Sequence, residues 1–102
     1  MKKFSAKQSG ESVLYGMDFR NGLAEGETLI SVSGGTWYVV VLSGVDAAPT
    51  STLSGPPTIN GSLVTQLIVG GVSDVTYKFT CSVSTSLGQI LELDVSLLVS
   101  DQ

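Results

Sequence analysis

Few side chains in this 102-residue chain could do chemistry, and their spacing narrows them further. There is no histidine, so neither a Ser-His-Asp nor a Cys-His nucleophile can be assembled. Cys81 is the only cysteine, which excludes an internal disulfide and a cysteine-based metal site. It shares the odd parity of Val75, Tyr77, Phe79 and Val83, so it is expected as a buried thiol acting as a small hydrophobe. Glu92 and Asp94 stand two apart, about 7 Å on strand geometry, a separation that glycosidase carboxylates also use. They fall on the polar face of a regular strand, where a solvated surface is expected rather than a cleft. Asp18, Glu25, Glu27 and Asp46 are scattered and fit no EF-hand spacing. Gly34-Gly35 and Gly70-Gly71 lack the context of a phosphate loop and read as turns. The expectation is a protein that is not an enzyme and has no metal or cofactor.

The elements that carry these residues alternate. Val75, Tyr77, Phe79, Cys81 and Val83 are separated by Thr76, Lys78, Thr80 and Ser82. After Ser86-Leu87-Gly88, the pattern resumes with Leu91, Leu93, Val95, Leu97 and Val99. Period-2 alternation marks a half-buried hairpin. Val13, Tyr15, Met17 and Phe19 predict an earlier strand, residues 28–33 a short one, and residues 63–69 another. Residues 37–42, Trp-Tyr-Val-Val-Val-Leu, are continuously apolar between glycines and predict a strand covered on both faces, one cover being a second subunit. Asn60-Gly61 signals a two-residue hairpin, and this outweighs its glycosylation pattern with Ser62. Residues 46–57, rich in Ala, Pro, Thr, Ser and Gly, form the longest candidate loop. Pro56 and Pro57 cannot sit inside a central strand. The expected fold is all-β, an immunoglobulin-like antiparallel β-sandwich of about seven strands. Residues 1–10 form an extended N-terminal arm, and residues 11–102 a single domain.

Charge narrows the partners. Charged residues are only 14% of the chain against about 25% on average, while 42% are apolar. A surface so poor in charge suggests one covered by something else. The net charge is −4, and three of five basic residues (Lys2, Lys3, Lys7) lie in the first seven positions, where a solvated, frayed terminus is expected. No basic patch on the body predicts nucleic-acid contact. No apolar run follows Met1-Lys2-Lys3, and none reaches the roughly 18 residues of a membrane span. A soluble product made in the cytoplasm, with no membrane partner, is expected. Trp37 and Tyr38 adjoin, so one faces inward and the other outward; the first expectation is that both help seal the core, the second that the outward one anchors an interface.

An ordered series runs through the N-terminal third: Phe4, Lys7, Glu11, Tyr15, Asp18, Phe19, Leu23, Gly26, Glu27, Thr28 and Ile30. The C-terminal half continues with Gly70-Gly71, Val75-Thr76-Tyr77, Thr85-Ser86-x-Gly88 and Val99-x-Asp101. In order and total length this resembles the phage fiber-tail adaptor family. The chain departs from it at Val13-Leu14-Tyr15, where a carboxylate is missing, and at residues 46–57, which look inserted. The resemblance implies a non-enzymatic virion component at the tail, made in the host cytoplasm and joining fibres to the tail body. Its partners would be tail or neck proteins, tail fibres and copies of itself. A head decoration or cement protein is the structural alternative. A carbohydrate- or cell-surface-binding module resting on Trp37 and Tyr38 is the alternative of another class. Phe4, Lys7, Trp37, Tyr38, Pro49, Pro56 and Pro57 are the candidate interface residues.

Overall fold

The computed structural model describes residues 1–101. Its strands are β1 (Lys2–Lys3), β2 (Ser12–Asp18), β3 (Leu29–Val32), β4 (Tyr38–Ser43), β5 (Leu53–Asn60), β6 (Leu63–Val69), β7 (Val75–Thr85) and β8 (Ile90–Val99). They form two sheets. One runs β1-β8-β7, with β3 and β4 both lying along the far side of β7. The other is β2-β6-β5. Every pairing is antiparallel except that of β1 with β8. The all-β, sandwich-like expectation holds, with eight strands rather than about seven.

β7 is the organising strand. It pairs with β8 from Val75 opposite Val99 to Ser84 opposite Ile90. On its other side, β4 takes Thr76 to Thr80 and β3 takes Val83 to Thr85. The predicted parity is observed: Val75, Tyr77, Phe79, Cys81 and Val83 are all buried, and Glu92 and Asp94 are exposed on the outer face. The opposite sheet supplies Tyr15, Met17, Val64 and Ile68 to the same core. Aromatic rings line the inner face of the larger sheet. Trp37 lies 6.3 Å from Phe79, and Phe79 lies 6.2 Å from Tyr77, centroid to centroid. Such pairs add about 0.5–1.5 kcal/mol beyond the area they bury.

Three local expectations are corrected. The N-terminus is not frayed. Lys2 and Lys3 pair with Val95 and Ser96, and the Phe4 N–H donates to the Ser96 carbonyl at 2.8 Å. Residues 46–57 are only partly a loop, because a 3-10 turn at Pro49–Thr52 leads directly into β5. Pro56 and Pro57 lie within β5, an edge strand whose register with β6 shifts between Ser54 and Thr58. An edge strand at a bulge tolerates the missing donors. The hairpin after β5 pairs Asn60 with Leu63, so its loop is Gly61-Ser62, one residue later than expected. Gly61, at φ +63°, supplies the positive angle that its first position needs. Within the single chain, residues 37–42 are covered on one face only, the other cover being the one expected from a second subunit. Trp37 and Val39 are buried, whereas Tyr38, Val40 and Leu42 are about half-exposed.

Buried polar side chains stabilise the irregular points. Gln66 is fully buried, and its Nε2 donates to the carbonyls of Ser54 and Gly55 at 3.1 and 2.9 Å. These carbonyls sit where the β5 bulge interrupts the ladder. Tyr77 accepts from the Val72 N–H at 2.9 Å and donates to Asp46 Oδ2 at 2.6 Å, which ties the entry of β7 to the segment after β4.

Because Phe79 is wholly buried at the centre of β7, Phe79→Ala is expected to destabilise the fold by about 3–5 kcal/mol in chemical denaturation. A loss under about 1 kcal/mol would contradict the assigned inner face of β7.

Candidate interface surfaces

The N-terminal arm runs along the mouth of the sandwich. Phe4 is half-buried and stacks on Tyr15 at 4.5 Å, with Trp37 next at 6.1 Å. Tyr15 in turn donates through its hydroxyl to the Ser5 carbonyl at 2.8 Å. Lys7 is 2% exposed, and its Nζ donates to the carbonyls of Gly70 (2.5 Å) and Gln8 (2.7 Å). Burial lowers its pKa, opposed by the charges of Glu11 and Asp101. The backbone of Lys7 bonds to both sides of β8's end: its N–H to the Leu98 carbonyl, and its carbonyl from the Ser100 N–H. Asp101 then accepts from the Ser9 N–H and hydroxyl at 2.7 and 2.9 Å. Lys7 and Phe4, expected at an interface, thus serve first to fasten the arm. Beside Phe4 a cleft of about 340 Å³ opens between the sheets, lined by Lys2, Met17, Asp18 and Asp94 among others.

Trp37 and Tyr38 divide as their adjacency predicts. Trp37 is fully buried, so it offers no stacking platform for a sugar ring. Its Nε1–H lacks a hydrogen-bond partner of regular geometry. Burial pushes the Cys81 thiol up to about 12, with a loose contact from the Trp37 indole acting in the opposite direction. A thiol so disfavoured as thiolate is a packing group. Tyr38 is 48% exposed and folds its hydroxyl back to the Ser33 carbonyl at 3.3 Å. The ring passes so close to Gly34, at φ +74°, that a Cβ there would lie 2.6 Å from the Tyr38 hydroxyl. Among the prolines, Pro56 is exposed, while Pro49 and Pro57 are half-buried.

Sequence reasoning did not foresee the hydrogen-bond network around Glu27. Its buried carboxylate accepts from the Thr85 hydroxyl, from Gln89 Nε2 at 2.9 and 3.1 Å, and from the Ala24 N–H at 2.8 Å. Those bonds, led by Thr85, hold its pKa below the ordinary 4.5. Next to it, the Thr28 N–H donates to the Ser86 hydroxyl and the Ser86 N–H to the Thr28 carbonyl. The two segments that carry the resemblance, Gly26-Glu27-Thr28 and Thr85-Ser86-x-Gly88, therefore meet and lock each other. The joint presence of those two motifs is the one sequence signal that could have pointed to the contact.

The model of the family described as Podophage GP4 fiber-tail adaptor protein gp77 matches residues 7–98. The chain belongs to that family. No curated protein matches it. The span of the adaptor-family match begins at Lys7, the residue that fixes the arm, and includes both halves of the Glu27 lock. It excludes Phe4. In this chain the charged groups with the strongest partners are structural. Asp18 is held well below the usual carboxylate range by Arg20 and by Ser62. The Tyr77 hydroxyl and the Ala48 N–H lower Asp46, and Ser9 lowers Asp101.

These depressed values fix a pH dependence. A carboxylate with a lowered folded pKa contributes stability that is present above its unfolded value and lost as pH falls through the folded one. The melting temperature should therefore change little from pH 7 to about 5 and decline below about 4. Glu27→Gln should make that decline shallower. An unchanged acid profile in Glu27→Gln would contradict the lock.

Proposed function

We propose that the chain is a non-enzymatic structural component of a phage particle, placed at the tail, where it joins tail fibres to the tail body. Membership in the fiber-tail adaptor family carries this reading. The fold supports it in its own way: Lys7, Glu27, Asp46 and Asp101 spend their bonding capacity on the scaffold. What is left for function is surface. Strand neighbours β2-β6-β5 and β4-β7-β8, the buried Trp37 and the Tyr77 hydroxyl bonded to upstream backbone support an immunoglobulin-like arrangement of that scaffold. The partners in this reading are tail or neck proteins, the fibres, and further copies of the chain.

Particles assembled without the chain should carry tails that lack fibres, and adding the purified protein should restore them. Fibres attached in normal number to particles lacking the chain would contradict the reading, as would density for the chain on the capsid lattice.

A further inference from the structure

Charge is segregated in this molecule. Between Glu27 and Asp74 the one charged side chain is Asp46, and it is tied to Tyr77. That stretch contains β3, β4, β5 and β6. β3 contacts β5 across the sandwich, and β4 contacts the turn at Pro49–Thr52. The uncharged elements therefore make one lateral side of the domain. Exposed apolar side chains lie there: Tyr38, Val40 and Leu42, with Val45 at 83% exposure.

The sheet edges differ in how they are guarded. β5 carries Pro56, Pro57 and a bulge, β1 is two lysines, and β2 lies beside the arm that Tyr15 holds. These are the usual devices that keep strands from pairing between molecules. β4 has no proline, lysine or carboxylate, its register shift is confined to its C-terminal end, between Val41 and Ser43, and among the described residues it pairs with β7 alone.

We propose that this side is a self-association surface, on which β4 of a second copy lies antiparallel to β4 about a twofold axis at Val40. The proposal deepens the reading of the chain as a contact protein and rests on it. Symmetry makes the occupant specific. With Val40 opposite Val40 of the other copy, Tyr38 faces Leu42 and Leu42 faces Tyr38, all on one face, as an isologous contact requires. Charge points the same way. A chain of net −4 can meet its own copy most easily where it carries none of that charge. Lys78, one strand in from Val40, would stand three strand spacings from its copy, about 14 Å. That exceeds the Debye length of about 10 Å at 0.1 M salt.

Sedimentation equilibrium of the full chain is expected to show a monomer–dimer equilibrium. Val40→Lys, at a half-exposed position, should weaken it at least tenfold while leaving the melting temperature within a few degrees. Val40→Cys should form a covalent dimer with a short bis-maleimide, whereas Leu14→Cys, on the other sheet, should not; buried Cys81 is silent. A monomer at every concentration overturns the proposal, as does a dimer that Val40→Lys leaves intact. Fibre restoration measured on the same samples separates the two readings. Monomeric protein that restores fibres overturns the dimer alone, and dimeric protein that fails to restore them overturns the adaptor role alone.

Discussion

Burial of the inner face of β7 is the constraint on which the rest depends. Five successive odd positions, from Val75 to Val83, are driven from water together, and a strand can do this only with a second layer opposite it. β8 and β4 flank the strand, and the short sheet β2-β6-β5 closes over it. Trp37 completes the seal. It stands just before β4, touches Phe79 from one side and Phe4 from the other, and so draws the N-terminal arm into the same core.

That dependence explains where the polar chemistry went. A sandwich with bulges and crossing segments leaves backbone groups without ladder partners, and each one buried unpaired costs about 1–3 kcal/mol. Gln66 answers for the bulge in β5, and Tyr77 for the entry to β7. Lys7 answers for the carbonyl of Gly70, and Glu27 for the Ala24 amide while binding side chains of the turn between β7 and β8. Each of these side chains could belong to a reactive site in another setting. Here their partners are backbone amides, carbonyls and the hydroxyl or amide of a neighbouring turn.

The sequence disclosed what period-2 alternation can disclose. The β7–β8 hairpin, the inner face of β2, the place of Cys81 and the outward Glu92 and Asp94 all follow from parity. Side chains that work at irregular points were hidden, because their role depends on which distant backbone they meet. Nothing local marks Gln66 as buried, and nothing in Met1-Lys2-Lys3 shows that β8 lies alongside. The continuous apolar run of residues 37–42 says that both faces avoid water, and the single chain covers only one of them. Pro56 and Pro57 suggested a loop because an edge strand with a bulge has a loop's composition.

That uncovered face is where fold and function meet. Most residues that bear charge hold the sandwich together or lie along β1, β7 and β8, and the side built from β3, β4 and β5 is neutral and partly apolar. The adaptor role proposed above assigns contact to such a side. Hydroxyl-radical footprinting of the chain, free and within intact particles, tests this most directly. The account predicts that Tyr38, Leu42 and Val45 lose labelling severalfold in the particle while Leu14 and Met1 keep theirs. Unchanged labelling of Tyr38, Leu42 and Val45, with protection confined to Leu14 and Met1, would contradict it.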